Sequence, residues 1–298
     1  MKNIPKEKSS SLKTLRRKLD TIDNNILQMV VERAQLAAKI YEAKKSDNSF
    51  VYQPVREAEI LRKLNSSDLS PLDIAKVWDI WRSMINANIS LQSTLHIHVW
   101  DKKGINADIL SYFGPDVEIH ELSTSSDGAE GPKLIEDAMT NNPESNIIVI
   151  PFSRWDSDHS VGGKIIGAFP MISQDTPKYF VVGKNIFLKS SDDITLFSVI
   201  FNNWNIEIPS EFDDNKDDYE WVSKWFSDLK KQMQKQLEID IEIKYLIPNP
   251  TVKKYLIGVK GYFDESSEFI KTLSSNNSIK TIELKGIYPN ILIYNKGK

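Results

Sequence analysis

The chain has 298 residues, 40% apolar and 27% charged, the balance of a soluble globular protein of two or three domains. A formal net charge of -3 with no dense basic run excludes a global pull toward nucleic acid, and no apolar stretch is long enough to span a bilayer. The sequence has no cysteine, which excludes disulfides, thiolate catalysis and Cys-ligated zinc, and its polar first eleven residues lack an apolar signal core, so a cytoplasmic location is expected.

Residues 11 to about 45 predict one long helix. Counting in sevens gives Leu12, Leu19, Ile26, Arg33 and Ile40 on one row, and Leu15, Ile22, Met29, Leu36 and Ala43 on the next. This is a heptad seam with one cation at a position expected to be buried. A buried guanidinium is unfavourable without a negative partner, and no other seam position is acidic. The pattern therefore asks for a negative ligand inside a helical assembly. At about 1.5 Å per residue the rod is roughly 50 Å long, more than a three-helix domain can cover, so a dimer is expected.

Pro54 suits the first turn of a second helix, to about Leu64. Ser70 as N-cap and Pro71 at the first helical position predict a third helix running to about Ser93. Its stripe reads Ile74, Trp78, Trp81, Ile85, Asn88, Gln92, four apolar positions passing into two amides. From Leu95 the texture changes to α/β alternation. Strands are expected at 96–100, 117–122, 146–152 and 178–183, with helices near 105–112 and 133–139. The last hundred residues read strand 194–201, helix 219–237, strand 239–247, a Pro-Asn-Pro turn, strand 253–261, helix 265–273 and strand 279–288, a βαββαβ order.

Four histidines (His96, His98, His120, His159) lie mid-chain; His96 and His98 alternate along a strand and read as ordinary strand residues rather than metal ligands. The Gly162-Gly163 pair reads as a tight turn, its spacing not matching a phosphate loop. The chemistry concentrates earlier. Lys44 follows Arg33 by eleven residues, three helical turns, so both point to one side. Arg16 lies about 25 Å away along the rod, too far to share a site with Arg33 in one chain but within reach in an antiparallel dimer. Arg56 and Glu57 open the second helix; Asn88 and Gln92 close the third. Taken singly, each has an ordinary reading: solvated face for Arg16 and Lys44, surface pair for Arg56 and Glu57, stripe end for Asn88 and Gln92.

The stretches L-R-R-K-L-D-T-I-D-N-N-I-L (15–27), E-R-A-Q-L-A-A-K-I (32–40), Lys44, P-V-R-E (54–57) and I-N-A-N-I-S-L-Q (85–92) closely resemble the all-helical chorismate mutase domain. The resemblance implies that Arg16 from the partner chain, Arg33 and Arg56 hold the two carboxylates of chorismate, that Lys44 and Gln92 contact the ether oxygen of the breaking bond, and that Glu57 takes the ring hydroxyl. Gln53 stands where an aspartate often touches that hydroxyl, and Asn88 where a small polar residue often sits.

Such domains are often fused to prephenate dehydratase and an ACT domain, and the remainder is similar to reduced versions of both. D-T-P-K-Y-F-V-V-G (175–183) is similar to the end of a dehydratase domain, but Lys178 and Tyr179 replace two members of its Thr-Arg-Phe motif. I-K-T-I-E-L-K-G-I-Y-P (279–289) resembles the final ACT strand, while Y-L-I-P-N-P (245–250) lacks the phenylalanine-binding Glu and Arg. The expected class is multi-domain: an all-α three-helix mutase domain as an intertwined dimer (1–94), a truncated dehydratase-like α/β lobe (95–189) and an α+β, ACT-like βαββαβ domain (190–298). The expected activity is chorismate to prephenate, in phenylalanine and tyrosine biosynthesis, with no cofactor and no metal. The extension is expected to lack dehydratase activity. Expected partners are chorismate and a second copy, with neither nucleic acid nor membrane. A bifunctional mutase-dehydratase, an isochorismate pyruvate-lyase and a non-catalytic ligand-binding protein remain the alternatives.

Overall fold

The computed structural model describes residues 11–44, 50–99, 104–122, 130–155, 163–173, 176–184, 187–202, 227–228, 231, 242–249 and 254–293. Three helices lead: α1 (Leu12–Lys44), α2 (Pro54–Asn65) and α3 (Ile74–Ser90). Strands and short helices follow: β1 (His96–Val99), α4 (Asn106–Phe113), β2 (Glu118–Glu121), α5 (Glu130–Asn141), β3 (Asn146–Pro151), β4 (Lys164–Phe169), β5 (Ile172–Ser173) and β6 (Tyr179–Gly183). The remainder comprises β7 (Asp193–Phe201), β8 (Ile243–Asn249), β9 (Lys254–Lys260), α6 (Glu268–Ser274), β10 (Ile279–Pro289) and β11 (Leu292–Ile293).

The third helix starts later than its sequence suggests. Asp73, not Ser70, is the N-cap, accepting from the Lys76 N–H at 2.9 Å, while Ser70-Pro71 is a cis peptide outside the helix. The aspartate side chain satisfies a backbone donor that the first helical turn leaves free. The Pro248-Asn249 pair expected in a turn lies in β8, at the edge of the sheet where proline is tolerated. The strand β4 was not expected. Gly163 directly precedes it, and Gly162, the other half of the expected turn, lies outside the described residues. The expected helix at 219–237 falls almost wholly outside them as well.

Nine strands form one sheet in the order β2-β1-β3-β6-β4-β10-β7-β9-β8. The half from β2 to β3 is parallel, and β10-β7-β9-β8 is antiparallel throughout. The halves meet where Gly286 of β10 pairs with Ile165 of β4. Alternation along each strand assigns its faces. Ile147, Val149 and Val181 join Ile97 and Val99 in a core shared with Trp78, Ile85 and Ile89 of α3 and with Ile109 and Phe113 of α4. The intervening Ile148, Ile150, Phe180 and Val182 face Met139 of α5 and Trp155. The helical domain thus rests on one sheet face, and its core is continuous with the sheet's.

The first helix is the exception. Leu12, Leu19, Ile26 and Met29 are each more than half exposed, so the heptad seam lies bare along the rod in a single chain. Arg33 on that seam is half-buried rather than buried. Its Nη1 approaches the Met84 carbonyl of α3 at 3.5 Å.

Candidate active site

Where α1, α2 and α3 converge they enclose a cavity of about 440 Å³, within the range of small-molecule sites. Arg33, Gln53, Arg56, Glu57, Asn88 and Gln92 all line it, among Leu36, Ile40, Val51, Ile60, Ile85 and Ile89. Three elements contribute because each ends or turns at the cavity. Arg33 projects from α1. Gln53 is the N-cap residue of α2, and Arg56 and Glu57 come from its first turn, where Pro54 starts the helix; Asn88 comes from the last turn of α3 and Gln92 from just beyond its end. Of the other two expected residues, Arg16 is exposed at the start of α1, away from the cavity. Lys44 is the last residue of α1, and its side chain lies outside the described residues.

The walls are apolar and the charges few, which strengthens each charge. Burial, and then the nearby Arg56 charge, lowers the Arg33 pKa from its usual value. Two guanidinium groups that repel each other across one cavity suit an anion that can meet both. Arg56 meanwhile pairs with Glu59 at 2.8 Å on the surface, a contact a ligand can displace at little loss. Gln53 donates its amide to the Phe50 carbonyl at 3.0 Å.

Glu57 is held from behind. Its Oε2 lies 2.5 Å from Arg82 Nη1 of α3 and accepts from the Tyr112 hydroxyl of α4 at 3.2 Å; its Oε1 is buried with no hydrogen-bond partner among the described residues. Arg82 is buried, donates to Asn86 Oδ1 at 2.9 and 2.7 Å and lies 4.5 Å over the Tyr112 ring. Burial lowers the Arg82 pKa, but Glu57 and Tyr112 outweigh it and the net shift is upward. Burial, and then Glu57, raises the Tyr112 pKa well above its usual value, so the phenol stays a donor. Sequence reading missed Arg82 and Tyr112. The signal for Arg82 was present, because it sits between Trp78 and Ile89 on the buried stripe that sequence reading gave to Trp81, which is only partly buried.

A second cluster lies at the stretch 175–183, read from its sequence as similar to the end of a dehydratase domain. Lys178 and the Tyr179 hydroxyl both bind Asp108 of α4, at 2.7 and 2.6 Å. Burial, then the aspartate, raises the Tyr179 pKa to about 12. The groups there are satisfied by one another.

Comparison with known proteins places the helical part. Residues 15–93 match the family chorismate mutase type II. A bifunctional chorismate mutase/prephenate dehydratase of Stutzerimonas stutzeri is 28% identical over 116 residues, covering 37% of this chain and 32% of that protein. One from Aquifex aeolicus is 32% identical over 122 residues, covering 39% and 34%. The chain thus spans about a third of the length of the curated relatives it matches. The solved structure of GqqA, described as a novel type of quorum quenching acylase, aligns with 65% of this chain and 94% of its own at a TM-score of 0.37 and 11% identity. That likeness is too slight to bear on the fold. No described helix is long and apolar enough to cross a membrane. Residues 15–93 thus carry the match to a chorismate mutase type II domain, and a mixed, sheet-rich part follows them.

Proposed function

We propose that the protein rearranges chorismate to prephenate, within aromatic amino acid biosynthesis, as a homodimer joined along α1. The observation that carries this reading is the cavity: Arg33, Gln53, Arg56, Glu57, Asn88 and Gln92 from three helices converge on one small, largely apolar space. The bare seam of α1 supports the dimer, since a second copy would cover it. An antiparallel partner would bring its Arg16 to the open end of the cavity.

The chemistry matches the residue types. Chorismate is a flexible dianion that reacts intramolecularly through a compact conformer. Arg33, Arg56 and the partner's Arg16 hold its carboxylates and thereby select that conformer. As the ether bond breaks, negative charge develops on its oxygen. Lys44 and Gln92 donate to that oxygen, stabilising the transition state more than the ground state. Glu57, fixed by Arg82 and Tyr112, presents Oε1 to the ring hydroxyl. The residues supply binding and electrostatics, which is all that a one-substrate rearrangement requires. Gln92 is neutral, so turnover holds nearly level between mild acid and neutrality.

We read the chain as three units, 1–94, 95–189 and 190–298, the last two as a truncated dehydratase-like lobe and an ACT-like domain. The order β10-β7-β9-β8, antiparallel throughout, supports a βαββαβ unit. The closed Lys178–Asp108–Tyr179 cluster favours an extension without dehydratase activity. The test is incubation of purified protein with chorismate, with the products separated by chromatography. Prephenate alone is the expected product. Phenylpyruvate would show a bifunctional enzyme, pyruvate a lyase, and unchanged chorismate would leave a binding protein. Lys44→Ala and Arg33→Ala are each expected to lower kcat by about 100-fold or more with the fold kept. A near-normal rate in either variant would remove the assignment.

A further inference from the structure

The sheet carries a third cluster, whose residues are absent from the cavity lining. Parallel pairing of β1 with β2 sets His96 opposite Glu118 and His98 opposite His120. Residues two apart share a face, so these four side chains stand together on one face at the sheet edge. The donor atoms of three of them converge. His96 Nδ1 lies 3.1 Å from His120 Nε2 and 3.3 Å from Glu118 Oε2, and His120 Nε2 lies 3.7 Å from the same oxygen.

We propose that His96, Glu118 and His120 form a binding site for a divalent transition metal of the zinc class. Zinc bonds to imidazole nitrogen and carboxylate oxygen run about 2.0–2.2 Å, and tetrahedral angles then separate neighbouring ligand atoms by about 3.3–3.6 Å. The three observed separations, 3.1, 3.3 and 3.7 Å, bracket that value, so the donors already outline one face of a tetrahedron. Two imidazoles and a carboxylate select zinc and its borderline neighbours over magnesium or calcium, which prefer oxygen alone.

The site is braced as metal sites usually are. His98 is buried, stacks on the His120 ring with centroids 5.1 Å apart, and engages Asn146 Oδ1 of β3 through Nε2 at 2.8 Å. Asn146 in turn donates to the Asn142 carbonyl at 2.9 Å. This chain fixes the plane of the His120 ring before any ion arrives. The outer side is open: the side chains of His96, His120 and Glu118 are 33%, 43% and 59% exposed. An ion can enter from solvent and keep a water in the fourth position.

The placement gives the ion a task. β2 is the outermost strand at its end of the sheet, and only Ile119 along it is even half-buried. Burial of apolar surface therefore does little to hold this strand. A metal bridging His96 of β1 to Glu118 and His120 of β2 ties the edge strand to the sheet. The proposal is independent of the mutase reading.

The test uses the full chain, stripped with a chelator and dialysed. Zinc is titrated by calorimetry, and cobalt(II) is used as a visible-absorbing probe. One equivalent should bind in the micromolar range or tighter, the cobalt adduct should give the intense visible bands of a tetrahedral ion, and zinc should raise Tm by several degrees. His120→Ala should weaken binding by about 100-fold or more and abolish the Tm shift, and Glu118→Gln, which keeps the strand's shape, by about tenfold. His159→Ala should change nothing. Circular dichroism and chorismate turnover should be unaltered in all three variants. No binding at 100 µM zinc, or binding that survives both His120→Ala and Glu118→Gln, would overturn the site and leave a hydrogen-bonded histidine pair.

Discussion

At the residue scale the informative feature is a cation on an apolar row, and two stand out among the described residues. Arg33 interrupts the α1 seam and faces a cavity; Arg82 interrupts the α3 stripe and faces Glu57. The first was legible because heptad counting isolates it. The second was passed over because the stripe was drawn through Trp81, one position away, and its partners come from α2 and α4. The two arginines differ in consequence. Arg33 has no carboxylate partner among the described ion pairs and faces the open cavity, whereas Arg82 is paired with Glu57 inside the fold. Arg82→Met is expected to leave Glu57 buried without its counter-charge and to destabilise the protein by about 3–5 kcal/mol, measured by urea unfolding. A loss below about 1 kcal/mol would show that the pair does not matter to the fold. Asp108 makes a smaller prediction. The hydrogen bond from Lys178, then that from Tyr179, holds its pKa below the usual value. The stability this supplies is present above the ordinary aspartate range and is lost as pH falls through the lowered pKa. The pair is well exposed, so the effect is small. The deficit of Asp108→Asn against wild type should be largest near neutrality and vanish in strong acid; a deficit constant across that range would assign it to packing.

At the element scale, periodicity was a good guide wherever one face meets one environment. The three leading helices, β1 to β3 and β7 to β10 lie close to where patterning put them, because their apolar positions recur at the spacing of a helix or strand. β4 escaped because glycines precede and interrupt it, and glycine reads as a break. The structure gives the glycine inside β4, Gly167, a different reason, and one in β10, Gly286, a similar one. Gly167 lies against the Tyr52 side chain, which would occupy the place of its missing Cβ. Gly286 lies against the Ile165 backbone at the pairing that, among the described residues, joins the two halves of the sheet. Gly286→Val should therefore separate β10 from β4 and destabilise by about 1–3 kcal/mol or more, with broadened unfolding. An unaltered urea midpoint would mean that the junction has slack. The histidine and glutamate cluster was invisible for another reason. His96 and His98 alone look like ordinary strand residues, and only the β1–β2 register, a long-range fact, brings Glu118 and His120 beside them.

At the scale of the whole molecule, the helical domain and the sheet share a core through Trp78, Ile85, Ile97, Phe113 and Val149, and the Glu57 brace crosses from α2 and α3 to α4. The sheet is thus packed behind the candidate site, and changes in it can reach Glu57 through Tyr112. On the other side of the molecule the α1 seam is bare, and Arg16 lies away from the cavity it is proposed to serve. Both facts follow if each site is built from two chains. A mixed dimer tests this most directly. Arg16→Ala and Lys44→Ala chains, each inactive alone, are unfolded together, refolded at equal concentration and assayed with chorismate. If Arg16 acts across the dimer, half of the dimers are mixed and each carries one intact site, so roughly a quarter of wild-type turnover should return. No recovery in a preparation in which mixed dimers are demonstrated, or near-normal turnover in either variant alone, would contradict a site shared between two copies.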